Sequence, residues 1–93
     1  MILDFSCKHT AKVWNGEKTR KWDDKIKKVA LRKLYMIHAA HKLFDLKVPP
    51  GNGLHQLKDD LKEYYAIKIN DQWRIIFIWK GNDAAEVKIT DYH

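Results

Sequence analysis

The sequence predicts an α+β fold in which an N-terminal strand and two helices pack on one face of an antiparallel β-sheet. Apolar residues recur at steps of three and four over residues 22–44, which is typical of a helix that faces a core. After residue 54 the period changes to two, as in strands. Between these regions stands Pro49-Pro50-Gly51-Asn52-Gly53, which indicates a loop.

The N-terminal residues predict a short strand and a short helix. Ile2, Leu3 and Phe5 are typical of a strand, and Ser6 can cap the helix that follows. We expect this helix to end at residues 15–16, because Asn-Gly is a good C-terminal signal. A charged connector, residues 17–21, then leads to the second helix.

The second helix is the clearest element, and we expect it to run from Trp22 to near Phe44. Asp23 and Asp24 lie in its first turn, where negative charge suits the helix dipole. No Gly or Pro occurs between Trp22 and Val48. The residues predicted to face the core are Trp22, Ile26, Val29, Ala30, Leu34, Ile37, His41 and Phe44.

The C-terminal half predicts strands joined by tight turns. Residues 54–58 form a possible short strand, and strands follow around residues 64–69, 73–79 and 85–90. The alternation of side chains along each strand then assigns residues to the two faces of the sheet. If Ile75, Phe77, Val87 and Ile89 face the helices, Arg74 and Tyr92 project from the opposite face, which helices leave open.

Composition excludes several classes of protein. Residues 1–93 are expected to form one domain, and their 45% hydrophobic content with four Trp and four Tyr is too rich for a disordered chain. No stretch reaches the ~20 consecutive apolar residues of a membrane helix. The N-terminus lacks the basic and long apolar regions of a signal peptide. A single cysteine, Cys7, gives neither a disulfide nor a cysteine-rich metal site. We therefore expect a cytoplasmic protein without a membrane partner.

Positive charge is concentrated in one segment. The chain carries 18 basic and 12 acidic residues, a net charge of +6, and residues 18–33 alone hold eight basic and two acidic residues, also +6. A positive field on one element attracts polyanions. The other interpretation is the solvated outer face of an amphipathic helix. The candidates for contact with RNA are Lys18, Arg20, Lys21, Lys25, Lys27, Lys28, Arg32 and Lys33.

Four sequence motifs, in order along the chain, carry a resemblance to a known family. They are Thr19-Arg20-Lys21-Trp22, Pro49-Pro50-Gly51-Asn52, Asn70-Asp71-Gln72-Trp73-Arg74-Ile75 and the terminal Asp91-Tyr92-His93. Because these motifs occur in this order, the whole chain resembles the HigB branch of the RelE-like toxins, which are the toxin half of bacterial toxin–antitoxin pairs. The resemblance implies a RelE-like fold.

The resemblance also implies an activity and its partners. Such toxins are ribosome-dependent endoribonucleases that enter the A site and cut mRNA. By this resemblance the chain is expected to be neutralised by a HigA-like helix-turn-helix antitoxin, and to reach operator DNA only through that antitoxin. The implied catalytic residues are His55, Lys58, Arg74, Asp91, Tyr92 and His93.

The residue types suit RNA cleavage without a metal or other cofactor. The ribose 2′-hydroxyl attacks the phosphate, which requires a base, an acid and cations around the phosphorane. We assign the proton transfers to His55 and His93, and the phosphate to Arg74 and Lys58. Asp91 would orient an imidazole, and Tyr92 would contact a base or support the site. The sequence leaves open which histidine is the base.

Two alternatives remain at this point. The chain could be a non-catalytic RNA- or protein-binding module of the same fold, although such a module would not need the six polar residues together. His38, His41 and Asp45 could share one side of the long helix, as metal ligands would. No Glu lies between the histidines as in a metalloprotease helix, and His41 falls on the apolar stripe, so packing or surface roles are favoured over a metal.

Overall fold

The computed structural model describes residues 1–92; His93 lies outside the described residues. Two helices precede a four-stranded sheet with the strand order β1-β2-β3-β4, in which every pair of neighbours is antiparallel. This confirms the predicted α+β class. The elements are α1 (Lys8–Asn15), α2 (Asp24–Ala39), β1 (His55–Gln56), β2 (Tyr64–Lys68), β3 (Trp73–Lys80) and β4 (Asp83–Asp91).

The main core lies between the helices and one face of the sheet. Ile75, Phe77 and Val87 are fully buried there, and they belong to the same cluster as Leu34 and Ile37 of α2. Full burial of each such side chain stabilises the fold by about 1.5–3 kcal/mol. The predicted alternation of faces in β3 and β4 is therefore confirmed.

The N-terminal segment is less regular than the predicted strand. It forms two isolated parallel bridges with β4, Ile2 to Ala84 and Phe5 to Val87, in place of a continuous ladder. Between them the Asp4 carboxylate accepts a hydrogen bond from the backbone N–H of Glu86 at 2.6 Å. Glu86 has a positive φ of 51° beside a β-bulge, and this irregularity of β4 interrupts regular pairing at its edge.

The first helix begins one residue later than the sequence suggests. Its N-cap is Cys7, while the Ser6 hydroxyl donates to the carbonyl of Glu86 at 3.2 Å. Ser6 is thus used to attach the segment to β4, and the prediction that it caps α1 is wrong. The predicted end is confirmed, because Gly16 adopts the left-handed conformation with φ 73°.

The second helix is shorter than predicted at both ends. The Asp23 side chain caps it by accepting from the Ile26 N–H at 2.8 Å, and the helix ends at Ala39, before the expected Phe44. The Asp45 carboxylate accepts from the backbone N–H groups of His41 and Lys42, both at 3.0 Å, and so stabilises a separate 3-10 turn. His41 and Phe44 are exposed, so their assignment to the core is wrong.

The proline-containing loop is attached to α2 by a buried polar contact. Asn52 is fully buried in a 3-10 turn, Pro50–Asn52, and its Oδ1 accepts a hydrogen bond from Lys33 Nζ. Its Nδ2 donates to the carbonyls of Leu46 at 3.1 Å and Val48 at 3.4 Å. The loop prediction is confirmed, and the buried amide fixes how the loop leads into β1. Among residues 1–92, no helix is long and apolar enough to cross a membrane.

Candidate active site on the open face of the sheet

The sheet face opposite α1 and α2, called the open face below, carries a set of basic side chains. Register places Lys68, Arg74 and Thr90 in one cross-strand row. The adjacent row contains His55, Ala66, Ile76 and Lys88. Residues directly opposite one another in a ladder share a face, so His55 and Arg74 lie on the same face. A small apolar cluster of Leu57, Ala66 and Ile76, with Tyr64 packed against it, gives this face a rigid floor.

Arg74 and Tyr92 come together as their predicted parity requires. The Arg74 guanidinium carbon lies 5.1 Å from the centre of the Tyr92 ring, within the range of a cation–π contact. Arg74 is half-buried, and its buried Nε has no hydrogen-bond partner among residues 1–92. A buried donor without an acceptor is costly, and a bound phosphate oxygen would satisfy it.

The end of β4 is attached to the turn between β2 and β3. The Tyr92 N–H donates to the carbonyl of Gln72 at 2.9 Å. Asp91 pairs with Trp73, which faces the helices, and its Oδ2 accepts from Gln72 Nε2 at 3.2 Å. The Asp91 side chain therefore lies on the opposite face of the sheet from Arg74, although the motif resemblance places both residues in one catalytic set.

Lys68 is a neighbour of Arg74 that the sequence reasoning missed. Its Nζ lies 3.0 Å from the Asp71 carboxylate. The hydrogen bond to Asp71 raises the pKa of Lys68 above its usual value, and the negative charge of Asp71 and the nearby Tyr92 phenol act in the same direction. Lys68 and Lys88 share the predicted outward parity with Arg74, so strand alternation was the signal that could have found them.

His55 is exposed on β1, and its ring is oriented by the loop before it. Nδ1 lies 2.9 Å from the carbonyl of Gly53. A carbonyl oxygen can only accept, so Nδ1 carries the proton and neutral His55 presents an unprotonated Nε2. The strands of His55 and Arg74 are separated by β2, which places their axes about 10 Å apart. Long side chains can reach a common phosphodiester across that separation.

The remaining predicted site residues are less closely grouped. Lys58 is exposed just after β1, where the chain enters a 3-10 turn, Asp59–Leu61. His93 lies outside the described residues. Of the predicted set, the structure thus brings Arg74 and Tyr92 into contact and places His55 on their face.

The predicted RNA-binding segment is mostly exposed, with one correction. Lys33 is only 6% exposed and is bonded to Asn52, so its assignment to a binding surface is wrong. Burial, and secondarily the charge of Arg32, lowers the pKa of Lys33. Lys27 is half-buried and lies 3.1 Å from Asp24. The other six candidates are exposed: Lys18, Arg20, Lys21, Lys25, Lys28 and Arg32.

The side chains of His38 and Asp45 have structural partners. His38 Nδ1 accepts from the backbone N–H of Ile2 at 3.1 Å, and its ring lies 5.2 Å from that of Trp14. Asp45 caps the following turn, as described above. Within the described chain, no group of three or more His, Cys, Asp or Glu side chains is arranged to hold a metal ion.

Comparison with known proteins shows the family to which the chain belongs. Residues 3–93 match the model of a family described as the RelE-like toxin of type II toxin–antitoxin system HigB. Toxin HigB-1 of Vibrio cholerae serotype O1 is 34% identical over 80 residues, which cover 85% of this chain and 84% of that protein. An uncharacterized protein of Haemophilus influenzae is 35% identical over 69 residues, covering 74% of this chain and 68% of its own length. The resemblance inferred from the motifs is confirmed, and the chain belongs to the HigB-like family of RelE-like toxins of type II toxin–antitoxin systems.

Proposed function

We propose that this toxin inhibits translation by cutting mRNA on the ribosome, through attack of a ribose 2′-hydroxyl without a metal ion. The observation that carries the proposal is the half-buried Arg74 guanidinium under the Tyr92 ring, with a buried Nε that lacks an acceptor in residues 1–92. Arginine binds phosphate through a planar fork of donors. A phosphodiester bound on the open face would supply the acceptor that Arg74 Nε lacks.

His55 is the better candidate for the general base. Its Nδ1–H is held by Gly53, so Nε2 is free to accept the proton of the 2′-hydroxyl. Protonation of the departing 5′ oxygen then falls to His93 in this proposal. Because Asp91 lies on the opposite face of the sheet from His55, its proposed role of orienting an imidazole is assigned to His93.

Cations and an aromatic ring would stabilise the reacting phosphate. Arg74 faces the developing charge, Lys58 keeps its proposed phosphate role, and Lys68, which is paired with Asp71, lies opposite Arg74 on β2. Tyr92 would stack on a splayed base while it fixes the Arg74 guanidinium. The exposed basic residues of the connector and α2 would bind ribosomal RNA near the A site.

The family also implies an antitoxin partner. We propose that it is a HigA-like helix-turn-helix protein, which binds the operator and carries the toxin to DNA. A reading frame for such a protein beside the toxin gene, and its co-purification with the toxin, would support this assignment.

The test is cleavage of a translated message on purified ribosomes. Wild type should give fragments with 5′-hydroxyl ends, because 2′-hydroxyl attack expels the 5′ oxygen and leaves the phosphate on the 3′ side. Arg74→Ala, His55→Gln and His93→Gln should each slow single-turnover cleavage at least 100-fold, as loss of a transition-state contact or proton donor does. Lys80→Ala, an exposed charge removed from the far end of β3, is the matched control.

Two outcomes would contradict the proposal. Wild-type cleavage rates in folded Arg74→Ala and His93→Gln proteins would show that these residues are not catalytic. Fragments with 5′-phosphate ends would indicate water or metal-bound hydroxide as the nucleophile. Induced expression without growth arrest, from a chain shown to be folded, would instead favour the non-catalytic binding module.

A further inference from the structure

A pocket of about 590 Å³, called the connector pocket below, opens between α1 and the connector that precedes α2. Its basic lining comes from two places in the sequence. His9 and Lys12 belong to α1, Lys18 and Arg20 belong to the connector, and Lys27 belongs to α2. His9 and Lys12 lie outside the segment that charge counting identified, so the fold adds residues that the sequence does not group.

Hydrogen bonds fix the wall of this pocket. Thr19 is buried, with 9% exposure, and its Oγ1 lies 3.0 Å from His9 Nδ1. The Thr19 hydroxyl oxygen also accepts from the Lys21 N–H at 3.4 Å, and its carbonyl accepts from Lys27 Nζ at 3.4 Å. In the tautomer whose Nδ1 accepts the Thr19 hydroxyl proton, neutral His9 carries its own proton on Nε2, and Nε2–H is then a hydrogen-bond donor.

The pocket is strongly positive. Four cations line it against one carboxylate, Asp24, and that carboxylate is paired with Lys27 at 3.1 Å. Lys12, Lys18 and Arg20 have no anionic partner in the described part of the chain. Partial burial, followed by the charges of Lys21, Lys8 and Lys12, lowers the pKa of His9. A bound anion would relieve this repulsion.

We propose that the connector pocket binds a backbone phosphodiester of RNA, with Lys18, Arg20 and Lys12 as the cations and His9 Nε2–H as a donor. RNA is favoured because the exposed cations Lys21, Lys25 and Lys28 continue the positive charge beyond the pocket, as a chain of phosphates requires. The inference rests on the proposed function in that the ligand is RNA.

The connector also lies close to the proposed active site. The rings of Trp22 and Trp73 meet edge to face at 5.9 Å, and Trp73 immediately precedes Arg74 in β3. An RNA strand bound in the connector pocket can therefore extend past the start of β3 toward the open face.

The test measures binding of a 2′-O-methyl RNA oligonucleotide, which 2′-hydroxyl attack cannot cleave, to the full chain by fluorescence anisotropy. Lys18→Ala/Arg20→Ala should weaken binding at least tenfold. Lys62→Ala/Lys80→Ala removes the same charge from exposed sites elsewhere and should change affinity less than threefold. Equal losses in the two variants would overturn the site in favour of a general charge effect.

A second measurement tests the site directly and guards against misfolding of the variants. In wild type, the His9 pKa followed by NMR should rise when the oligonucleotide binds, because a phosphate stabilises the imidazolium. An unchanged His9 titration at saturating oligonucleotide would overturn the proposal. The proposal would also be overturned if a competitor bound the pocket in preference to RNA. Displacement of RNA by inorganic phosphate would assign the pocket to a free anion, and displacement by polyglutamate would assign it to an acidic protein. Neither result depends on cleavage, so failure here is distinguishable from failure of the nuclease proposal.

Discussion

The contact between Lys33 and Asn52 allows a quantitative test of how the fold is held together. Lys33 is buried on α2, and its ammonium donates to Asn52 Oδ1 in the loop that leads to β1. Asn52→Leu keeps a side chain of similar size but removes that acceptor, and it also removes the donor to the carbonyls of Leu46 and Val48. The variant therefore leaves a buried cation without its hydrogen-bond partner.

The expected cost follows from these contacts. A hydrogen bond to a charged group contributes about 1.5–3 kcal/mol, and each neutral bond about 1 kcal/mol. Because the longer bond to Val48, at 3.4 Å, contributes least, we expect Asn52→Leu to lower the free energy of unfolding by about 3 kcal/mol. A small domain has about 5–15 kcal/mol in total, so the variant should still fold at low temperature.

A double-mutant cycle separates the ion–amide contact from local packing. Lys33→Met removes the charge and keeps the stem, so the double variant Lys33→Met/Asn52→Leu replaces both partners by apolar groups. We expect it to be more stable than the sum of the single changes predicts, by about 1–2 kcal/mol. The free energy of unfolding of all four proteins is measured by urea unfolding, followed by tryptophan fluorescence. Additivity within ~0.5 kcal/mol would refute the argument, because independent sites behave in that way.

Three further predictions follow from individual groups. Asp23→Ala should cost about 1 kcal/mol in urea unfolding, because the variant loses the side-chain cap of α2, whereas Asp23→Asn should retain most of the stability. Arg74→Lys should slow single-turnover cleavage about 100-fold with little change in stability, since lysine keeps the charge but not the planar fork. Folded Lys33 has a pKa below its usual 10.5, so between the two pKa values the unfolded chain binds more protons and stability rises with pH. Wild type should therefore gain stability relative to Lys33→Met as pH approaches 10.5, and parallel pH profiles would contradict this.

The face assignments could be predicted because strand alternation is a local property. Trp73, Ile75 and Phe77 repeat with a period of two, so Arg74, which lies between Trp73 and Ile75, had to point away from the core. The end of α2 could not be predicted in this way. Helical spacing continues through His41 and Phe44, but Asp45 captures the backbone N–H groups of His41 and Lys42 and starts a new turn. That competition between a side-chain cap and helix continuation depends on geometry that periodicity does not record.

The site was predicted less completely than the fold, for similar reasons. Charge counting placed Lys33 on a surface, whereas its burial depends on a partner 19 residues away in the loop. It also omitted His9 and Lys12, which reach the connector pocket only because α1 packs beside the connector. The motif resemblance placed Asp91 and Arg74 in one catalytic set, whereas the pairing of Asp91 with Trp73 places the two side chains on opposite faces of the sheet. Contacts that join distant segments are therefore where the sequence was least informative.

The two halves of the chain differ in charge, and this difference corresponds to the proposed division between RNA binding and catalysis. Residues 1–50 carry 12 basic and 5 acidic groups, while residues 51–93 carry 6 basic and 7 acidic groups. The proposed RNA-binding cations lie in the first half, and the proposed catalytic residues lie in the second. The Trp22–Trp73 contact brings the residue that follows the connector against the start of β3, although capture and cleavage use different side chains.

Capture and cleavage should therefore be separable by mutation in the same ribosome assay. Lys18→Ala/Arg20→Ala should weaken ribosome association and flatten its dependence on salt, since each lost phosphate contact lowers the log–log slope by about 0.7–0.9. Its single-turnover rate at saturating toxin should stay near wild type. Arg74→Ala should show the reverse, with ordinary association and a rate reduced at least 100-fold. If both variants lost association and rate in the same proportion, binding and chemistry would share one set of contacts, and the connector would act as part of the active site.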